Sequence, residues 1–164
     1  MAFRVGRIAV CADIAEMFHQ ITIQESDMQV QRILWFHNDK KTPRTFVMRS
    51  MTFGICCAPC IAHYVRDKNA EAFKDTNPRA YESITKAHYM DDLIDTYNND
   101  SEAVSVASAV KDIHANAGFT IRNWISNSAA VMHHFGERQL NTHNPKELGG
   151  PEKVLGSQDF KEMS

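Results

Sequence analysis

Apolar positions along the chain fall into short blocks whose spacing shifts between two residues and about 3.6, the periods of a strand and of a helix. Arg7-Ile8-Ala9-Val10-Cys11-Ala12-Asp13 is an apolar run ending abruptly in a carboxylate, which predicts a buried strand with Asp13 at its carboxyl end. A tight turn follows through Glu16 to Phe18. Gln31 to Phe36 and Thr45 to Met51 are β-prone, and the segment between them, His37 to Arg44, is rich in turn formers; the spacing predicts a hairpin with a basic tip. Phe53-Gly54 breaks the second strand, and Pro59 suits a first helical turn, so a helix is expected from Pro59 to about Phe73, ended by Asn77-Pro78. Its expected apolar face is Ile61, Tyr64, Val65 and Ala72. Ile84 to Tyr97 reads as a second hairpin with Met90-Asp91 near its turn. After a capping segment, residues 98–101, Ala103, Val106, Ala107, Val110 and Ile113 recur at helical spacing up to Gly118. Phe119 to Ile125 has strand character, and beyond Asn141 the chain turns polar and is expected to be loosely held.

With the 31–51 hairpin set aside as an insertion, the order is strand, helix, hairpin, helix, strand. That is the split βαβ arrangement, an α+β class with an antiparallel sheet and helices on one face. Such a sheet brings the end of its first strand beside the tip of its central hairpin, so Asp13 is expected next to Asp91 and Asp92. The length of 164 residues and 43% hydrophobic content suit one globular domain, taken as residues 1–140 with a tail at 141–164. Nothing approaches the roughly 18 apolar residues of a membrane span, and residues 1–7 lack a signal-peptide block; a soluble intracellular protein without a membrane partner is expected. The cysteines Cys11, Cys56, Cys57 and Cys60 do not resemble a disulfide framework and are expected to be reduced. The net charge of −2 conceals an asymmetry: residues 1–68 carry nine Lys/Arg against six Asp/Glu, and residues 69–164 nine against fourteen.

Three adjoining carboxylates repel one another unless a cation neutralises them. An oxygen-only donor set favours Mg²⁺ or Mn²⁺, and two such ions suit an in-line phosphoryl displacement. The chemistry to which Asp13, Asp91 and Asp92 point is therefore nucleotidyl or phosphoryl transfer. Each also has an ordinary alternative: Asp13 with Glu16 fits a helix capping pair, and Asp91-Asp92 fits turn chemistry.

Tyr89-Met90-Asp91-Asp92 resembles the metal-binding hairpin of reverse transcriptases, and Asp13 followed five positions later by Phe18 resembles their first catalytic motif. Thr52-Phe53-Gly54 with Ala58-Pro59 is similar to the segment opening their template-side helix. Residues 12–21, 61–67 and Gly118-Phe119 through Asn127 resemble the Pao/BEL class of long-terminal-repeat retroelements. The resemblance runs from about Phe3 to Asn127 and implies a palm domain whose fingers region is largely missing, incomplete as an isolated polymerase. It implies two Mg²⁺ (or Mn²⁺) ions at Asp13 and Asp91, with Asp92 supporting. Phe18 would be a steric gate beneath the incoming deoxynucleotide, Gly54 a close approach for template or nucleotide, and Tyr89 and Met90 contacts to the primer end. Phe53 and Arg32 are further primer/template candidates. The implied partners are an RNA or DNA template with primer and deoxynucleoside triphosphates. Val154-Leu155-Gly156 resembles the start of a primer-grip motif.

Three other readings compete. Cys57-Ala58-Pro59-Cys60 between a strand and a helix fits a thioredoxin-like redox site, but that leaves Asp13 and the 89–92 motif unexplained. Cys57, Cys60 and His63, with His88 or the His133-His134 pair as a fourth ligand, could be a zinc set, though their spacing crowds one helix turn. Finally, Arg32, Lys40, Lys41, Arg44 and Arg49 around Trp35 and Phe36 fit a non-catalytic nucleic-acid-binding remnant.

Overall fold

The computed structural model describes residues 5–36 and 42–136. Strand β1 (Ile8–Ile14) alternates as expected, burying Val10, Ala12 and Ile14 while Cys11 and Asp13 sit on the opposite face. Antiparallel to it on one side runs β5 (Asp92–Tyr97), and on the other β6 (Ile121–Ser126). The two-residue β4 (His88–Tyr89) completes a sheet of order β4-β5-β1-β6. This is the strand order of a split βαβ unit, and the α+β class read from the sequence holds. The connections are helical: α2 (Ala58–Glu71) and α3 (Pro78–Lys86) lead from β1 toward β4, and α4 (Asp100–Asn116) leads from β5 to β6. Helix α4 lies against β1, β5 and β6, and α2 and α3 pack on it.

The main core gathers Val10, Leu93, Tyr97, Ile121 and Trp124 from the sheet with Ile84, Ala107, Val110 and Ile113 from the helices. A second cluster of Ile14, Met17, Ile21, Met51, Ala58, Ala62 and Phe119 holds the turn after β1 against the start of α2. The expected hairpin is present as β2 (Arg32–Trp35) paired with β3 (Arg44–Val47), a separate two-stranded sheet beyond the short α1 (Glu25–Met28). Its base is pinned by buried Gln31, whose Oε1 accepts from the Thr52 amide at 3.0 Å and the Thr52 hydroxyl at 2.8 Å. Lys40 and Lys41 of the tip, the 141–164 tail and Val154-Leu155-Gly156 lie outside the described residues.

Three expectations are corrected. Asn77-Pro78 does not simply end a helix: Pro78 opens α3, where its missing N–H costs nothing, and Ala80, Ser83 and Ile84 are buried. The second hairpin therefore spans only His88 to Tyr97. Helix α2 buries Ala58, Ala62, Arg66 and Ala70 rather than Ile61, Tyr64 and Ala72, since a stripe of small residues lets the helix approach its neighbours closely. Tyr64 is 66% exposed; Val65 alone of the expected face packs on the second cluster. A further helix, α5 (Ala129–Phe135), was not anticipated, although Ser128 caps it and Gly136 ends it in the left-handed region.

The α4 boundary is as expected, with Asn99 accepting from the Glu102 amide at 2.9 Å. Asn99→Ala is expected to lower stability by about 1 kcal/mol in urea unfolding.

Candidate active site at the end of the first strand

Asp13 lies directly opposite Asp92 in the β1–β5 register. Because Tyr89 pairs with Asp92, Met90 and Asp91 form a two-residue turn at the tip of the hairpin. The Ile14 amide donates to the Asp91 carbonyl at 2.9 Å, tying that turn to the end of β1. Of the two central residues only Met90 has a positive φ, 58°, the signature of a type II′ turn, in which glycine is usual; the turn thus holds local strain. Asp91 and Asp92 are exposed, and Asp13 is half-buried. The Asp92 carboxyl is held above the usual carboxylate range by burial first and then by the charges of Asp91 and Asp13. No helix follows Asp13, so the capping alternative falls.

Asp13 is not free. The register slips between Cys11 and Asp13, and this bulge places Asn123, at φ 55°, beside the strand end. Asn123 Nδ2 donates to Asp13 Oδ1, and Arg122 Nε lies 3.7 Å from Oδ2. Cys11, on the same open face, has its thiol pushed up by burial and by Asp92. Arg122, Asn123 and Cys11 were not read from the sequence, because their proximity to Asp13 depends on pairing and bulge.

Phe18 stands half-buried in the turn after Asp13, edge-to-face on Phe53 at 5.1 Å, and His19 meets Phe53 at the same distance. The structure therefore brings Phe18 and Phe53 together. Gly54 follows at φ +85°, a backbone that disfavours a side chain, although a Cβ there would meet open space. Tyr89 is exposed and Met90 partly buried. Arg32 sits apart on β2, its guanidinium donating to Gln29 Oε1 at 2.6 and 3.0 Å.

The cysteine and zinc readings find no assembled site. Cys57 is the residue before α2 and Cys60 lies in its first turn, both exposed and free. His88 instead faces His114, Nε2 to Nε2 at 3.3 Å, and His134 contacts Ser108 at 3.0 Å. Among the described residues no three His, Cys, Asp or Glu side chains converge as a ready coordination shell, the carboxylates included.

A family model described as reverse transcriptase (RNA-dependent DNA polymerase) matches residues 4–124. The chain belongs to the reverse transcriptase family. Among curated proteins no match is found. The match covers β1 through most of β6, so every element that positions the three carboxylates belongs to the reverse transcriptase region. The family implies nucleic-acid template, primer and deoxynucleotide binding in general, and no helix among the described residues is long and apolar enough to cross a membrane.

Below the hairpin of this reverse transcriptase domain, His88 of β4 meets His114 of α4. Burial and the Arg66 charge lower the His114 pKa to about 4; burial, His114 and Arg66 hold His88 well below its ordinary value. Both imidazoles are therefore neutral in the folded state and protonate more readily when unfolded. Their contribution is complete above about pH 6.5 and is lost as pH falls, the unfolded chain binding the extra protons. Urea unfolding at pH 5 is expected to show stability about 2 kcal/mol below that at pH 7 from His114 alone, and His114→Phe is expected to flatten this slope.

Proposed function

We propose that this chain is the palm of an RNA-directed DNA polymerase of the Pao/BEL class, in which Asp13, Asp91 and Asp92 hold two divalent ions for nucleotidyl transfer to a primer 3′ end. The single observation carrying the reading is the register pair Asp13–Asp92, with Asp91 tied to Ile14 beside it. The donor set fits hard divalent cations: all its ligating atoms are carboxylate oxygens, two of the residues are exposed, and their mutual repulsion is already expressed at Asp92. Mg²⁺ or Mn²⁺ bound there would neutralise the transferring phosphate and polarise its oxygens. Asp13 would exchange its contacts with Asn123 and Arg122 for the ion. That exchange is affordable because Arg122 is itself half exposed, which keeps its ion pair weak.

The chain's own residues supply position. Phe18, braced by Phe53, would lie beneath the deoxyribose and exclude a 2′-hydroxyl; Gly54, Tyr89 and Met90 would border nucleotide and primer, and Arg32 with Phe53 the template side. The class assignment is supported by the residues around each motif. The redox alternative through Cys57 and Cys60 and the non-catalytic alternative are not favoured, since neither uses the carboxylate register.

Primer extension on an RNA template with deoxynucleotides and Mg²⁺ tests the reading. It is run with the chain alone and with the chain grafted in place of the corresponding segment of a complete reverse transcriptase. The grafted enzyme is expected to extend, and absence of extension from a folded graft would overturn the assignment. In the same graft, Phe18→Ala is expected to relax deoxy- over ribonucleotide preference by about tenfold or more, since it removes a steric exclusion rather than a ligand.

A further inference from the structure

A buried cation lies beneath the turn that carries Asp91. Arg66 is 3% exposed, the one charged side chain on a face of α2 otherwise made of alanines. Its Nε and Nη2 both reach Asp67 Oδ1 at 2.8 Å, and Nη1 donates to the Met90 carbonyl at 3.4 Å. A guanidinium kept from water is costly unless its donors are used, so its placement needs a reason beyond filling space. Met90 is the residue held at positive φ, and the next carbonyl, that of Asp91, is taken by the Ile14 amide. Two successive carbonyls of a strained turn are thus tethered, one from α2 and one from β1.

We propose that Arg66 is a positioning residue for the Met90–Asp91 turn, holding the strained peptide so that Asp91 and Asp92 stay presented to Asp13. The inference rests on the reading of those carboxylates as the metal-holding group. The titratable and charged groups around Arg66 are Asp67 and His63 from α2, His88 from β4 and His114 from α4. His114 is fully buried against His88, and both imidazoles are held neutral there, so neither sets a second positive charge against the guanidinium.

Amide hydrogen exchange on the full chain reads this directly. The Ile14 amide reports the turn, because it bonds to Asp91; the Val110 amide, in the middle of α4, reports global stability. Arg66→Met, which keeps the length and loses the charge, is expected to speed Ile14 exchange about tenfold more than Val110 exchange, with Arg66→Lys recovering part of the loss. Equal acceleration at both amides would make Arg66 merely structural and overturn the proposal. Should Arg66→Met not fold, Arg66→Lys decides: it is expected to speed Ile14 exchange more than Val110 exchange, and equal acceleration at both amides overturns the proposal. Mn²⁺ titration followed by electron paramagnetic resonance separates this from the underlying reading. If wild type takes up no Mn²⁺, the metal assignment fails while the exchange ratio still decides the role of Arg66. If wild type binds and folded Arg66→Met binds equally well, the positioning role fails.

Discussion

Asp91→Asn is expected to lower primer extension by the grafted enzyme about 10²- to 10³-fold while leaving the fold in place, the loss expected when a preorganised charge-stabilising group is removed from a phosphoryl-transfer site. The reason lies in how Asp91 is held. Its structural contact is made by the main chain, the carbonyl accepting from Ile14 at 2.9 Å, and its side chain is exposed. Asparagine preserves that bond and the turn, and it removes only the charge. Urea unfolding of Asp91→Asn is accordingly expected within about 0.5 kcal/mol of wild type, as for an exposed substitution. Relief of repulsion at Asp92 is expected to offset part of any loss, since Asp91 is among the charges that raise the Asp92 pKa. Undiminished extension by Asp91→Asn would remove this residue from the site. Asp13→Asn is the companion variant: it keeps an oxygen facing Asn123 but gives up the charge opposite Asp92.

The largest effect on stability is expected two residues after Asp91, inside β5. Leu93 is fully buried, paired with Ala12 across β1–β5 and with His88 across β4–β5. Leu93→Ala opens a cavity in the main core where the sheet meets the helices, and it is expected to cost about 2–5 kcal/mol in urea unfolding. Against a typical total of about 5–15 kcal/mol, that is enough to leave a marginal domain partly unfolded. The informative control is Tyr64→Ala. The hydropathy pattern places Tyr64 on the buried face of α2, whereas it is 66% exposed; the substitution is expected to change stability by no more than about 0.5 kcal/mol. A large loss at Tyr64 with little at Leu93 would mean that helix and sheet are packed differently.

Much of the fold was legible because it rests on local signals. The alternation in β1, the helical spacing and Asn99 cap of α4, and the strand character before Ser126 each reflect a period or a capping chemistry contained in a few residues. Helix α3 departs from the local pattern: Ile84-Thr85 is β-prone, yet Ile84 is buried in the main core from a helix that Pro78 begins. The orientation of α2 is not set by hydropathy, which favours Ile61 and Tyr64, but by close helix packing, which favours the small side chains at 58, 62 and 70. The short helix α5 carries its own cap and terminator, but its stability comes from long-range packing such as the Trp124–Phe135 stack at 4.2 Å.

The sequence by itself determined the class of the fold and the family, and it singled out Asp13, Asp91 and Asp92 as the candidate carboxylates, because strand and helix periods and the motifs around Asp13, Phe18, Gly54 and Tyr89 to Asp92 are contiguous patterns. Only the tertiary structure decided which groups meet those carboxylates. The Asp13–Asp92 register, the bulge that turns Asn123 and Arg122 onto Asp13, and the reach of Arg66 to Met90 all join residues far apart in the chain. Their physical cause is shared. Strand register, bulge position and helix rotation are set by how whole elements bury their surfaces against one another, and a short stretch of sequence constrains that outcome only through its neighbours in space.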